Sequence, residues 1–225
     1  MTISVKICGI DRTESVDIAV EKGVAYLGFV FYEPSPRNLS LEKAKQLIYR
    51  VPKNVIRVGL FVNPTDAAIE DVLSSADLDM IQLHGHEKPS RILEIKKVSQ
   101  LPILKAIKLA KQEDLKSATD FYGVADHLLF DAKAPATLKN ALPGGNAISF
   151  DWQLLRHAKI PLPWMLAGGL NINNIAKATV SSGATTLDVS SGVERIPGIK
   201  DLDLISKFLN ATKAIEKPKA LINME

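Results

Sequence analysis

Eight strand-like apolar runs alternate with amphipathic segments along nearly the whole chain. Each run is rich in β-branched or aromatic residues and is bounded by polar residues or glycine. The runs are Val5–Cys8, Tyr26–Phe31, Val55–Val62, Met80–His84, Ile103–Leu109, His127–Asp131, Trp164–Ala167 and Thr185–Val189. Strands that alternate with helices are typical of βα units around a parallel sheet, and eight such units close a barrel. The pattern predicts an α/β fold, a single (β/α)8 TIM barrel formed by residues 1–225.

The segments between the runs carry helix signals. Ser40 and Thr65 each precede a helical apolar pattern and are suitable N-caps, whereas Gly23 and Gly183 are placed to end helices. A last amphipathic helix, which would complete the outer ring, is predicted from the spacing of Leu202, Ile205, Phe208 and Leu209. We expect the tail after about residue 217 to be frayed. Ala132–Ser149 contains two prolines and a Gly-Gly pair, which predicts a long functional or mobile loop.

Composition excludes several classes of protein. The chain has 225 residues, 46% of them hydrophobic, and a net charge of +3 with lysine and arginine scattered along it. No basic block interleaves with aromatic residues, so nucleic acid is not an expected partner. No apolar run approaches the roughly 20 residues that a membrane-spanning helix needs, and no leader pattern opens the chain. We therefore expect a cytoplasmic protein, and a small phosphorylated metabolite fits its mild positive charge just as well as nucleic acid does.

A single cysteine, Cys8, limits the chemistry further. It cannot form an internal disulfide, and a zinc site rich in thiolates would need more cysteines. The cysteine count therefore argues against both a structural disulfide and a thiol-rich zinc site.

Period-two alternation predicts which strand residues share the inner face of the barrel. Lys6 then lies on the same face as Cys8, and the eighth strand, which must contact the first, presents Asp188 on that face. A charge inside a barrel is costly unless it is paired, so we expect Lys6 and Asp188 to form an ion pair. The ammonium would favour the Cys8 thiolate and the carboxylate would oppose it, which leaves the direction of the pKa shift open.

Two ionisable side chains end strands that open on the same face of the predicted barrel. Cys8 ends the first strand and Asp131 ends the sixth, and barrel enzymes keep their sites at this face. A thiol and a carboxylate there could flank one small substrate. The alternatives are that Cys8 is a small buried hydrophobe and that Asp131 is a helix cap or loop acid.

Further candidates surround this pair. Arg37 follows two prolines that stiffen its loop, and its guanidinium suits a carboxylate, although a surface arginine is an equal alternative. His84 is either a site residue or a hydrogen-bonded core histidine. Glycine-containing turns follow the seventh and eighth strands, where barrels bind phosphate through backbone N–H groups. The residues of these two turns are Gly168, Gly169, Ser190, Ser191 and Gly192.

Taken together, these residues resemble the phosphoribosylanthranilate isomerase family of tryptophan biosynthesis over nearly the whole chain. The motifs that carry the resemblance are Lys6-Ile7-Cys8-Gly9, Ser35-Pro36-Arg37, Gly59-Leu60-Phe61-Val62-Asn63, Gln82-Leu83-His84-Gly85, Asp131, Phe150-Asp151-Trp152, Leu166-Ala167-Gly168-Gly169-Leu170 and Asp188-Val189-Ser190-Ser191-Gly192-Val193-Glu194.

The resemblance implies an Amadori rearrangement without metal or organic cofactor. It assigns the general base to Cys8 and the general acid to Asp131, and it places the anthranilate carboxylate near Arg37. It also implies substrate contacts for His84 and Asp188 and a phosphate site on the two glycine-containing turns. A monomer or a homodimer is expected.

The chain departs from the family pattern in two loops. The mobile loop commonly reads Gly-Gly-Thr-Gly but here reads Gly144-Gly145-Asn146-Ala147, and an aromatic residue commonly follows the Ser-Pro-Arg where this chain has Asn38. Because Ala147 restricts backbone angles that glycine permits, we expect effects on loop closure, affinity or rate. The reaction type is not affected.

Two alternative functions stay open. One is a related ribose-phosphate aminoaldose isomerase, such as that of histidine biosynthesis, although that family uses two aspartates and no cysteine. The other is a non-catalytic barrel that binds a phosphorylated ligand or a partner protein.

Overall fold

The computed structural model describes residues 3–135, 137–138 and 142–215. Eight parallel strands form a closed barrel in the order β1 to β8. They are β1 (Ser4–Cys8), β2 (Tyr26–Phe31), β3 (Ile56–Phe61), β4 (Met80–Leu83), β5 (Ile103–Leu109), β6 (His127–Ala132), β7 (Trp164–Leu166) and β8 (Thr186–Val189). Each predicted strand is present and its ends lie within one residue of the prediction. The predicted (β/α)8 barrel is therefore confirmed.

Helices cover the outside of the barrel. They are α1 (Thr13–Glu21), α2 (Leu41–Tyr49), α3 (Asp66–Ser75), α4 (Pro89–Ser99), α5 (Lys116–Thr119), α6 (Ile175–Ser182) and α7 (Leu202–Lys213). The predicted caps are confirmed: the Ser40 side chain accepts a hydrogen bond from the Lys43 amide, and Thr65 accepts one from the Ala68 amide. Gly183 ends α6 in the left-handed conformation that a residue without a Cβ adopts at little cost.

Two connections depart from the regular pattern. Between β6 and β7, Ala132 still belongs to β6, the rest of the described part of Ala132–Ser149 has no helix or strand, and a short 3-10 turn follows at Trp152–Leu155. After β8, the strands β9 (Glu194–Ile196) and β10 (Ile199–Lys200) form an antiparallel hairpin that the sequence did not predict. The predicted frayed tail lies outside the described residues. No described helix is long and apolar enough to cross a membrane.

The hairpin packs against the loop that follows β2. At its turn, Gly198 adopts a φ of +87°, and a Cβ there would lie 2.4 Å from the Pro36 carbonyl oxygen. The glycine therefore lets the hairpin approach the Arg37 loop at van der Waals distance.

The barrel interior is apolar over most of its length and ionic where β1 meets β8. Its apolar filling comes from Val58, Met80, Leu104, Ala106, Leu129, Met165 and Ala167. Lys6 is in register with Asp188 across the β1–β8 seam, and Lys6 Nζ lies 2.8 Å from Asp188 Oδ1. The ion pair expected from the alternation is thus confirmed. Burial would lower the pKa of Lys6, but the Asp188 carboxylate outweighs this effect and raises it, so Lys6 stays charged.

Helix α7 closes the outer layer against α1. Ile205, Phe208 and Leu209 form its buried face, whereas Lys207 points to solvent and pairs with Asp203. Phe208 is fully buried.

Replacing Phe208 by alanine should lower the free energy of unfolding by about 3–5 kcal/mol, because the substitution removes a fully buried ring and leaves a cavity. Urea denaturation checks this value. Lys207→Ala, one residue away on the exposed face, is the matched control and should change stability by less than about 0.5 kcal/mol. Equal effects of the two substitutions would contradict the packing described for α7.

Candidate active site

A cavity opens at the carboxyl ends of the barrel strands. Its empty volume is about 780 Å³, open solvent included, which is in the range of small-molecule sites. All the predicted site residues except Gly192 line it: Cys8, Arg37, His84, Asp131, Gly168, Gly169, Asp188, Ser190 and Ser191. Apolar walls come from β2, β3 and the loops after β6 and β7. The structure thus brings the thiol of β1 and the carboxylate of β6 to one cavity.

Cys8 lies beside the Lys6–Asp188 pair. A Cβ built on Gly28 of β2 would lie 2.9 Å from Cys8 Sγ and 3.1 Å from Lys6 Nζ. Gly28 therefore leaves the space in which the sulfur and the ammonium approach each other. A glycine inside a strand is a sequence signal of such a close approach, and it was missed in the sequence analysis.

The direction of the Cys8 shift, which the sequence left open, is upward. Burial raises the pKa of the thiol and the Asp188 carboxylate adds to this, while the Lys6 ammonium and the more distant Lys200 ammonium oppose it. In this structure Cys8 is therefore held as a thiol near neutral pH, not as a thiolate.

Asp131 is bound through both carboxyl oxygens. Its Oδ1 accepts a hydrogen bond from the Ala132 amide at 2.8 Å, and its Oδ2 lies 3.1 Å from His84 Nε2. The other ring nitrogen of His84, Nδ1, lies 2.9 Å from Gln82 Nε2. Gln82 of β4, His84 directly after β4 and Asp131 of β6 thus form one buried hydrogen-bonded chain that ends at Asp131.

Arg37 is almost fully buried and is held by an ion pair with Glu194. Its Nε and Nη2 donate to Glu194 Oε1 and Oε2 at 2.8 and 2.9 Å. Lys200, also buried, donates to Glu194 Oε1 at 2.7 Å and to the Ser190 carbonyl oxygen at 3.0 Å. Burial would raise the pKa of Glu194, but the two cations outweigh it and hold the pKa below the usual range. Two cations and one carboxylate leave this buried cluster with a net positive charge.

The turns after β7 and β8 bring backbone to the cavity wall. Gly168 and Gly169 have φ values of +87° and +63°, and among the described residues their amides donate to no other backbone or side-chain group. Ser190 and Ser191 line the same wall, and Lys200 holds Ser190. Gly192 lies behind them, where a Cβ would be 1.9 Å from the Leu170 carbonyl oxygen. Because Gly192 has no side chain, the turn after β8 can pack directly against the turn after β7.

The loop after β6 covers the cavity. A Cβ on Gly144 would lie 2.8 Å from His84 Nε2 and 3.0 Å from Asp131 Oδ2, so only glycine permits this approach. The Gly145 carbonyl oxygen accepts a hydrogen bond from Arg37 Nη2 at 3.3 Å. The loop thus contacts the groups from β4, β6 and the Arg37 loop at once.

The residues that depart from the family pattern stabilise or strain their own loops. The Asn146 side chain binds both the amide and the carbonyl of Leu142, at 3.1 and 2.8 Å, and so closes the turn. Ala147 has a φ of +57°, in the left-handed region. Asn38 Oδ1 accepts a hydrogen bond from the Tyr32 amide at 2.8 Å and closes the loop after β2.

Sequence reasoning missed two charged members of the site. Glu194 is the last residue of one of the family motifs, but no function was predicted for it. Lys200 has no motif around it, and a single lysine in a sequence is usually a solvated surface residue. Both are buried through the β9–β10 hairpin, whose existence was not predicted.

These features define a (β/α)8-barrel enzyme with a ligand cavity at the carboxyl ends of its strands. The family model described as N-(5'-phosphoribosyl)anthranilate (PRA) isomerase matches residues 5–211. The chain therefore belongs to the PRA isomerase family, as the sequence resemblance indicated.

Individual relatives agree with this assignment. The N-(5'-phosphoribosyl)anthranilate isomerase of Paramagnetospirillum magneticum is 50% identical over 95% of this chain and 98% of its own length. The crystal structure of the Thermotoga maritima isomerase has a TM-score of 0.83 and 35% identity, over 94% of this chain and 99% of that one. A structure of phosphoribosyl anthranilate isomerase with reduced 1-(o-carboxyphenylamino)-1-deoxyribulose 5-phosphate has a TM-score of 0.81 and 33% identity, with the same coverage.

The pKa of Cys8 should lie above that of a short cysteine peptide, because burial outweighs the Lys6 charge. Since Cys8 is the only cysteine, ultraviolet absorbance of the thiolate against pH measures it directly, with Cys8→Ser as the blank. Lys6→Met should raise the pKa further by removing the ammonium. The same shift makes folding stability fall as the pH rises from the pKa of the unfolded thiol to that of the folded one. If the absorbance titration gave a pKa for Cys8 at or below that of the cysteine peptide, the predicted effect of burial would be wrong.

Replacing Ala147 by glycine should raise the free energy of unfolding by about 1 kcal/mol, because an L-residue in the left-handed region costs about 1–2 kcal/mol. Ala147→Val, the opposite change, should destabilise the protein, since a branched Cβ increases the strain. Urea denaturation of the three proteins provides the comparison. Destabilisation by glycine would show that residue 147 is not held at positive φ in solution.

Proposed function

We propose that this chain isomerises N-(5'-phosphoribosyl)anthranilate to 1-(2-carboxyphenylamino)-1-deoxyribulose 5-phosphate, with Cys8 as general base and Asp131 as general acid. The observation that supports these roles is that both groups line one cavity, on β1 and β6, while glycine turns and Arg37 line its rim. A relative with a comparable fold binds the reduced form of this product.

The reaction begins at the ring oxygen of the ribose. Asp131 donates a proton to this oxygen, the bond to C1 breaks, and the nitrogen lone pair forms an iminium ion. Asp131 is left as a carboxylate, which the Ala132 amide and His84 are placed to stabilise. The loop glycines at 144 and 145 cover this position and limit access of water to the open-chain intermediate.

The second step is removal of the C2 proton by Cys8. The iminium ion withdraws electrons from C2, so the proton leaves to sulfur and an enolamine forms. The enolamine then gains a proton at C1 and loses the proton of the C2 hydroxyl, which gives the ketone.

The raised pKa of the Cys8 thiol fits this order of events. A cationic iminium beside the sulfur attracts negative charge, as the Lys6 ammonium already does, and so lowers the pKa of the thiol. The thiol therefore releases its proton to solvent once the ring has opened, the thiolate takes the C2 proton, and the Asp131 carboxylate regains a proton from solvent at the end of the cycle.

The two anionic ends of the substrate have separate partners in this proposal. Arg37 binds the anthranilate carboxylate through Nη1, because Nε and Nη2 are engaged by Glu194. The net positive charge of that cluster favours an anion there. The phosphate binds the backbone of the turns after β7 and β8, at Gly168, Gly169, Ser190 and Ser191, with Gly192 behind them. Asp188 holds Lys6 beside the sulfur.

We propose that one chain, a single domain, carries out the reaction, because the thiol, the carboxyl group and the two glycine-containing turns of one barrel line the same cavity. A monomer and a homodimer both fit this arrangement, and the cytoplasmic location stays a prediction from the sequence.

Cys8→Ala and Asp131→Asn should each lower kcat by about 100-fold or more, which is the usual contribution of a positioned acid or base. The measurement is the loss of fluorescence of freshly made substrate above its spontaneous decay. Asp203→Asn, a carboxylate change on the exposed face of α7, is the control and should keep full turnover. Full turnover by both cavity variants would overturn the assigned roles, and an inactive unmodified protein would overturn the proposed function.

A further inference from the structure

Gln82 is a buried polar residue whose only described side-chain hydrogen bond is to His84. Its Nε2 lies 2.9 Å from His84 Nδ1, and its Oε1 is buried without a partner among the described residues. An unpaired buried amide oxygen costs free energy that an apolar side chain of similar size avoids. Gln82 is therefore poorly explained as a stabilising residue of the barrel interior.

The contact with Gln82 determines where His84 carries its proton. An amide nitrogen has hydrogens and no free lone pair, so Nδ1 of His84 must accept the hydrogen bond. A neutral imidazole has one N–H group, which then lies on Nε2 and points at Asp131 Oδ2, 3.1 Å away. The same contact disfavours a second proton on His84, because an N–H at Nδ1 would face another donor.

This restriction matters for the general acid. If His84 became an imidazolium ion, it would form an ion pair with Asp131 and hold it as a carboxylate, without the proton that ring opening requires. A neutral His84 orients Asp131 through Nε2–H, and this hydrogen bond, together with that of the Ala132 amide, stabilises the carboxylate that remains after Asp131 has donated its proton.

We propose that Gln82 is a positioning residue that fixes the proton of His84 on Nε2, so that His84 donates a hydrogen bond to Asp131 Oδ2 and stabilises the carboxylate formed when Asp131 gives up its proton. The inference rests on the proposed function, in which Asp131 is the acid. Gln82 contacts no reacting atom in this proposal and acts only through His84.

The other charged groups near Gln82, His84 and Asp131 do not contact His84 Nδ1 in the part of the chain that the structure describes. From the cavity, Cys8, Arg37 and Asp188 face it, and Tyr32 lines the same wall. On β5, which lies between β4 and β6, Lys108 is in register with Asp131, whereas Lys105 pairs with Glu87 outside the barrel. None of them is within hydrogen-bonding distance of His84 Nδ1 among the described residues, so Gln82 alone controls that atom.

The first test is spectroscopic and does not depend on turnover. In protein labelled with ¹⁵N-histidine, the two ring nitrogens of His84, assigned with His84→Asn, should show a neutral ring protonated at Nε2. Gln82→Glu supplies an acceptor at Nδ1 and should convert the ring to the doubly protonated form. A wild-type ring protonated at Nδ1, or no change in Gln82→Glu, would overturn the inference even if the enzyme is active.

The second test is kinetic. Gln82→Met should keep or raise thermal stability yet lower kcat about 10-fold with little change in KM, and Gln82→Glu should lower kcat further. In a His84→Asn background, Gln82→Met should have no additional effect, because its influence passes through the histidine. Leu129→Met, a substitution in the apolar interior two residues before Asp131, is the control for repacking and should keep wild-type kcat.

Wild-type kcat in Gln82→Met, or independent losses in the double variant, would overturn the positioning role. An unmodified protein with no isomerase activity would instead reject the proposed function, and the spectra would still report the proton on His84.

Discussion

The Lys6–Asp188 ion pair is the interaction on which the site depends. It lies where the first and last strands meet, so the closure of the barrel and the charge balance around Cys8 share the same two residues. Removing one partner of a buried pair typically costs about 3–5 kcal/mol, because the other charge stays buried and unpaired. Replacing either residue would therefore affect the seam, the thiol and the cavity wall together.

A second buried cluster organises the rim. Glu194 binds Arg37 with both oxygens and Lys200 with one, and Lys200 also holds the backbone of Ser190. This arrangement links the loop after β2 to the turn after β8. The carboxylate and phosphate regions of the proposed site are therefore coupled through one glutamate, and the net positive charge of the cluster of Arg37, Lys200 and Glu194 favours anionic groups beside it.

The loop after β6 is one of the two loops that depart from the family pattern, and its described residues lie close to several groups of the site. Glycines at 144 and 145 permit the approach to His84, Asp131 and Arg37, and the Asn146 side chain closes the turn through two hydrogen bonds to Leu142. Ala147 adopts a strained conformation beside it. The Asn146 side chain thus fixes the conformation of this turn, and the positive φ of Ala147 adds a local backbone strain at the next residue.

Sequence alone determined the eight strands, the helix caps and the family, because periodicity, capping residues and motifs can be read from short stretches of sequence. The Lys6–Asp188 pair followed from strand alternation, once an eight-stranded barrel requires the last strand to contact the first. It also identified Cys8 and Asp131 from their places at strand ends. The tertiary structure decided the direction of the Cys8 pKa shift, which depends on burial set by the whole barrel. It likewise decided the pairing of Arg37 with Glu194 and the burial of Lys200, since these residues are distant in the chain and meet only when a hairpin folds over the rim.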